Sequence, residues 1–416
     1  MLGWEFPPYF AGGVGMVCYE MAKEISNNFK DIEVEYVMPY GPDEKFFSNN
    51  FKISSANISF DKIKNLNVSL IPTTLYSYDT SESYLSRFSK FLEFSRKNLF
   101  SDEKSIKQLY GKDLIEEVYL YGLRIFEKFK NNKFDIIHAH DWTTIPAALM
   151  LKEATNKPLI LHVHITEFDK TGGHPGSEDV MKIEREGFEK ADLLITVSNF
   201  TKNRLINNYG IDPKKIQVVH NGGISDLIPT LDKEIQFSRN HKIVLYAGRI
   251  TLQKGVEYFI QSAKRVLEFE PNTRFIVAGT GDMLAKMIEL TANLGIGKNV
   301  LFHGFYNREE ANMFYTMADV FVMPSVSEPF GIVPFEAAAK GTPCIISKQS
   351  GISEVFENCF KIDFWDIEEM TDNIVSLLKY PHLSNEMRTH AFHEFKNNFS
   401  WNKPIKKIKN IYTTLI

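Results

Sequence analysis

The chain of 416 residues is poor in cysteine. Cys18, Cys344 and Cys359 lie far apart, with neither metal-ligand spacing nor a disulfide framework, so a reducing compartment is expected. No run of about 18 consecutive apolar residues exists, and no charged leader precedes a short apolar stretch. The chain therefore reads as cytoplasmic, and membrane association is not expected. Charge of one sign is lacking too: 48 basic against 52 acidic residues leave a net charge of −4, so no global field draws nucleic acid. Also missing are a Walker Lys-Ser/Thr motif, a complete G-x-G-x-x-G fingerprint, a D-x-D pair placed as a metal site, internal repeats and low-complexity tracts. What remains, 44% hydrophobic and 24% charged residues, is a globular composition of a length that suits about two domains.

Short β-branched apolar runs alternate with helical patterns. They include FDIIHAH (134–140), PLILHVH (158–164), ADLLITVS (191–198) and IQVVHNG (216–222). In the second half come KIVLYAGR (242–249), RFIVAGTG (274–281), VLFHGF (300–305), DVFVMPS (319–325) and PCIIS (343–347). Runs this apolar predict strands buried on both faces of a parallel sheet, and the alternation predicts doubly wound α/β domains. The polar stretch 222–241 marks the break between them. Residues 72–116 read as a helical excursion or insertion. WNKPIKKIKNIYTTLI (401–416) carries Trp401, Ile405, Ile408, Tyr412 and Leu415 on one helix face, which predicts a terminal helix packed on the protein.

Three stretches carry chemistry. In YFAGGVGMVCYEMAKEI (9–25), Gly12, Gly13 and Gly15 follow a short strand and open a helix, where backbone N–H groups can approach an anion; a plain tight turn explains them equally well. Only MLGWEF precedes them, so the first strand is expected to be short or trimmed. In AGRITLQKG (247–255), Arg249 ends a strand and Lys254 opens a helix, a placement that suits a diphosphate at strand C-terminal ends, against a null of two solvated cations. In SVSEPFGIVPFEAAAKG (325–341), Glu328 falls in a turn and Glu336 about one turn inside a helix with Pro334 near its start. The Phe330 and Gly331 N–H groups are expected among the unpaired donors of that helix start. The null for Glu336, a carboxylate complementing the helix dipole, leaves Glu328 unexplained.

GGVG, HAHDW, HVHITEF, GR-x4-KG and E-x7-E occur in order, and with them the chain resembles retaining GT-B glycosyltransferases, most closely the glycogen and starch synthase branch and its near relatives. The resemblance spans roughly Gly3 to Leu415. It implies two Rossmann-like domains facing across a cleft, with residues 1–222 on the acceptor side, 223–399 binding the nucleotide-sugar, and 400–416 a helix crossing back to the first domain. It implies that Arg249 and Lys254 neutralise the donor diphosphate, that Glu328 with the Pro329, Phe330 and Gly331 backbone holds the donor sugar, and that Glu336 grips the ribose. Gly12, Gly13, Gly15 and Gly279 would line the donor site, His164 would lie beside the sugar, and Asp141 would lie at the catalytic cleft. The reaction implied is metal-free and needs no cofactor: glucose moves from ADP- or UDP-glucose to an α-1,4-glucan with retention, the acceptor hydroxyl attacking as the diphosphate leaves. Phe10, where many ADP-glucose enzymes carry lysine, and SKQSGISEV (347–355) in place of a T-G-G-L form depart from that branch. They keep open a transferase acting on a lipid-linked or small-molecule acceptor. A nucleotide-sugar epimerase of the same architecture and a silent sugar-binding protein are the remaining alternatives; the oligomeric state is undetermined by the sequence.

The histidines pose a separate question. We expect only one of His162 and His164 to face the cleft, His164, with His162 a core residue. His138 and His140 are read as structural beside a functional Asp141.

Overall fold

The computed structural model describes residues 1–7, 13–39, 44–56, 114–223 and 241–416; Gly12, Phe10, most of 72–116 and most of 222–241 lie outside the described residues. The strands are β1 (Val34–Met38), β2 (Glu44–Ser48), β3 (Phe51–Ser55), β4 (Ile137–His140), β5 (Leu159–Val163), β6 (Leu193–Thr196) and β7 (Ile216–Val218), then β8 (Lys242–Ala247), β9 (Thr273–Ala278), β10 (Val300–Gly304), β11 (Val320–Met323), β12 (Cys344–Ser347) and β13 (Phe360–Ile362). Helices separate most of them. Apart from β2, which runs antiparallel to β3, every described strand pair is parallel. The fold is α/β with two Rossmann-like sheets.

The first sheet is assembled around the chain start. Leu2 bridges Val37 of β1 and Ala139 of β4, joining the β1-β3-β2 group to β4-β5-β6-β7. Its N–H donates to the His138 carbonyl at 2.8 Å, and its own carbonyl accepts from His140 N at 3.0 Å. The short first strand is thus a three-residue segment at the middle of the sheet. The second sheet has the order β10-β9-β8-β11-β12-β13. Counting from β8 this is 3-2-1-4-5-6, so strand order reverses between β8 and β11, and a crevice opens beyond their carboxyl ends.

Near-continuous burial explains the apolar runs. β5 and β11 are buried at every position, because helices cover both faces of each sheet. On one face of the first sheet, Ile160 and Ile195 meet Val17, Met21 and Ile25 of the helix Gly13–Asn28. Trp401, Ile405, Ile408 and Ile411, at the start of and along the terminal helix Asn402–Leu415, complete that core, so the last helix crosses back onto the first sheet. Asn402 Nδ2 donates to Glu24 Oε1 at 2.9 Å, and Lys409 pairs with Asp31. The two chain passages between the sheets run side by side: Gly223 N donates to the Phe399 carbonyl at 2.7 Å, and the Trp401 ring covers Gly222.

Fully buried Ile408 is central to that face. Ile408→Ala is expected to destabilise the fold by about 2–5 kcal/mol, measured as a lowered melting temperature and urea midpoint with helical circular dichroism retained.

Candidate active site

The crevice between β8 and β11 gathers the expected donor-side residues. After β8 the chain turns at Gly248, passes exposed Arg249, forms a 3-10 turn at Leu252–Lys254 and enters the helix Val256–Phe269 through Gly255. Gly255 has φ +65°, and a Cβ there would lie 1.9 Å from the Pro324 carbonyl oxygen. Only glycine lets the Lys254 turn sit this close to the chain leaving β11. Gly279, after β9, faces the Gly248 carbonyl in the same way, at 1.9 Å from a built Cβ. Its place is thus a packing position beside the Arg249 turn.

Lys254 Nζ pairs with Glu328 Oε2, and Ser325 Oγ donates to the same carboxylate oxygen at 3.3 Å. Glu328 is 7% exposed, so this pair is largely shielded from water and fixed in direction. Its backbone is held as firmly: Glu328 N donates to the Gln349 carbonyl at 3.0 Å, and Gly351 N to the Glu328 carbonyl at 2.9 Å. Arg249 Nη2 reaches Gln253 Oε1 at 3.4 Å, leaving much of its guanidinium open to the crevice. Gly331, at φ +89°, ends the turn. The helix that follows is Val333–Ala339 with Ile332 as N-cap. Phe330 and Gly331 therefore precede the helix, so their N–H groups are not among its unpaired donors, contrary to expectation, whereas Pro334 stands in the first turn and Glu336 about one turn inside, as expected. The Phe330 ring is buried against Phe335 and His220, and its carbonyl accepts from Ile352 N at 2.8 Å.

Glu336 occupies a different setting. It is half-buried on the helix, and Tyr315 Oη donates to its Oε2 at 2.8 Å. Burial raises its pKa to about 7, against the opposing Tyr315 hydrogen bond and the Arg308 charge. The two glutamates share no partner among these contacts. Tyr315 and Ser325 are the orienting groups that motif reading missed; each is three or more residues from a motif glutamate and gives no spacing signal of its own.

On the facing sheet, Asp141 follows β4 with φ 58° and ψ 176°. A non-glycine residue at these angles stores strain of order 1–3 kcal/mol. The conformation turns the carboxylate back, so that Oδ1 accepts His164 N at 2.6 Å and Ile165 N at 3.2 Å. Burial raises its pKa to about 7, opposed by those two N–H bonds and by Lys170. Gly13 opens the first helix, with nothing within 4 Å of a built Cβ, and Gly15 is buried within its first turn.

The premise that His162 and His164 point opposite ways fails for a simple reason: residues two apart in a strand share a face; His162, His138 and His140 are buried, as expected of structural residues. His162 and His164 stack at 4.3 Å, His138 and His140 at 4.6 Å, all four on one face under the first and last helices. His138 Nε2 meets His162 Nδ1 at 3.3 Å, and His140 Nδ1 meets His164 Nε2 at 2.9 Å. Tyr412 Oη closes the ladder at His138 Nδ1, 2.5 Å away. Burial lowers the pKa of every member, that of His164 to about 3, so the imidazoles are neutral. Among the described residues, His138-His140-His162 and Cys18-His140-His164 bring ligand-type atoms within 4.8 Å of one another. The inner ring nitrogens are engaged with each other, and burial pushes the Cys18 thiol up to about 12, which keeps it protonated. That bonding is a sheet-face ladder's. Among the described residues, His140 Nε2, His162 Nε2 and His164 Nδ1 have no hydrogen-bond partner.

Comparison with known proteins identifies the kind of chain that carries this fold. The family described as Glycosyl transferases group 1 matches residues 228–394, and Glycosyltransferase Family 4 matches residues 104–223. An uncharacterised glycosyltransferase of Methanocaldococcus jannaschii is 27% identical over 99% of this chain and 97% of its own. A D-inositol 3-phosphate glycosyltransferase of Corynebacterium diphtheriae is 26% identical over 70% of this chain and 73% of its own. A glycogen synthase of Mycobacterium tuberculosis is 25% identical over 86% and 80%. Among solved structures, Anabaena HepE in complex with UDP and glucose aligns with a TM-score of 0.68 and 16% identity over 100% of this chain and 98% of its own. The chain is a glycosyltransferase of GT-B fold, whose residues 228–394 match the group 1 family and whose residues 104–223 match Family 4.

Proposed function

We propose that the protein transfers glucose, with retention of configuration and without a metal ion, from ADP- or UDP-glucose to an α-1,4-glucan. The observation that carries this reading is the convergence of Arg249, Lys254 and the Glu328 turn at the reversal point of the second sheet. Departure of a nucleoside diphosphate leaves negative charge, and preorganised cations stabilise it most where water is scarce. Arg249 offers a planar fork and Lys254 a point charge, the two geometries that suit adjacent phosphates. In this reading Glu328, bonded to Lys254 and Ser325, takes the sugar hydroxyls, and Tyr315 fixes Glu336 for the ribose. Pro329, Phe330 and Gly331 supply the backbone of the sugar turn, and Gly279 keeps the Arg249 turn close. His164 and Asp141 stand on the opposite wall beside the sugar, with Gly13 and Gly15 behind them. The glutamates act on separate parts of the donor, so the reaction proceeds by front-face substitution and a phosphate oxygen takes the acceptor proton. The glycogen synthase likeness supports the glucan acceptor. The inositol phosphate glycosyltransferase likeness favours, as a second reading, a small hydroxylated or lipid-linked acceptor.

The deciding measurement follows nucleotide release from ADP-, UDP- and GDP-glucose with glycogen, maltose, inositol phosphate or a polyprenyl-linked sugar as acceptor. Glucan elongation is expected; donor turnover that lengthens no glucan removes that acceptor. Lys254→Ala is expected to lower kcat by about 10²–10³-fold, and treatment with EDTA to leave the rate unchanged. Strong EDTA inhibition refutes the metal-free step.

Asp141 supplies a pH test. Its pKa rises from 3.8 to about 7 on folding, so between those values the folded state holds more protons and stability falls as pH rises. Asp141→Asn keeps an acceptor for His164 N but cannot ionise. Relative to the natural chain it is expected to melt higher near pH 8, with the gap closing towards about pH 4. A gap independent of pH contradicts the buried carboxylate.

A further inference from the structure

The turn carrying Glu328 belongs to the second sheet, yet the first sheet grips it on both sides. Immediately before Glu328, the fully buried Ser327 donates from Oγ to Asp169 Oδ1 at 2.8 Å and accepts from Arg204 Nη2 at 3.2 Å. Asp169 is itself fully buried. Its Oδ2 accepts from Thr166 N at 2.9 Å and Thr166 Oγ1 at 2.8 Å, and Arg204 Nε lies 3.6 Å from Oδ1. Thr166 stands two residues beyond His164, so one carboxylate joins the His164 loop to the residue next to Glu328. Immediately after Glu328, the Pro329 carbonyl accepts from Ser198 Oγ at 2.6 Å, and Ser198 also caps the helix Asn199–Tyr209.

We propose that Asp169 and Ser327 are positioning residues for glycosyl transfer: their hydrogen bond across the cleft sets the Glu328–Lys254 pair at the working distance from the His164 loop. The inference rests on the transfer reading above. A small apolar residue at 327 would fill the same space. The hydroxyl, poised between a carboxylate that accepts and a guanidinium that donates, admits one register of the turn. If the two sheets part, Asp169 keeps Thr166 and Arg204, so only the Ser327 contact breaks. Among the bonds of Asp169, that contact is therefore the one that reports closure. Glu354, which accepts from Asn199 N at 2.9 Å and from Phe200 N at 2.6 Å, holds the same two elements together farther along and leaves Glu328 untouched.

Ser327→Ala, Ser327→Cys and Asp169→Asn in the full chain test this. With a donor that the natural chain turns over, Ser327→Ala is expected to lower kcat by about 10–100-fold, with donor KM changed less than about twofold. Ser327→Cys restores the volume but only a weak donor, so it stays as slow as the alanine variant. The loss in Ser327→Ala with Asp169→Asn should be far less than the product of the single losses. Cysteine restoring the rate, multiplicative losses, or a kcat equal to the natural chain overturns the proposal. Small-angle scattering of the donor-free protein judges the grip without activity: a larger radius of gyration is expected in Ser327→Ala, and an unchanged one refutes it. A natural chain that turns over no nucleotide-sugar sinks the transfer reading instead, and scattering then decides the grip alone.

Discussion

The donor crevice depends on one steric constraint: the loop after β8 touches the loops after β9 and β11 backbone to backbone. Gly255 presses on the Pro324 carbonyl, Gly279 on that of Gly248, and Gly281 on that of Ile250. A side chain at any of the three would push the β8 loop away from its neighbours. The Lys254–Glu328 pair forms only at that closeness, since neither residue is on a regular strand that would fix it otherwise. The reversal of strand order supplies the crevice, and the glycines make it narrow enough for a lysine and a glutamate to meet.

The second constraint joins the two halves. Each sheet buries its own faces, but the face of the first sheet beneath Ile405, Ile408 and Ile411 is closed by the last helix of the chain. The chain crosses between the sheets near Gly223 and again near Phe399, and the two crossings are hydrogen-bonded together. Motion of one sheet relative to the other must then pass through this paired crossing and through the side-chain contacts around residues 327–329.

Much of this was legible in the sequence, for physical reasons. Strands buried on both faces leave uninterrupted apolar runs, and all the runs quoted from 134 onward hold strands. Motif order carried the fold class, and the Lys254 and Glu328 turns meet in space. Four features were not legible. Asp141 adopts a conformation that its residue type does not announce, because the surrounding strand and helix impose it. The Phe330 and Gly331 N–H groups were misplaced: the Glu336 helix begins at Val333 with Pro334 in its first turn, as read, so those two residues belong to the turn before it. The histidine faces were misassigned by reading alternation where a two-residue period places both imidazoles together. Tyr315 carries no motif, and only tertiary packing brings it to Glu336, while Ser325 reaches Glu328 within one turn through a contact that residue type alone does not announce.

The histidine ladder also has a thermodynamic side. Its four imidazoles are buried, close and neutral, whereas each would take up a proton near pH 6.5 in an unfolded chain. The folded state thus binds fewer protons than the unfolded one as the solution turns acidic, and acid pulls the equilibrium towards the open chain. Because the ladder spans β4 and β5 and is closed by Tyr412 of the terminal helix, that cost falls on the junction of sheet and closing helix. The first sheet therefore carries an acid fuse, set where the last helix seals it.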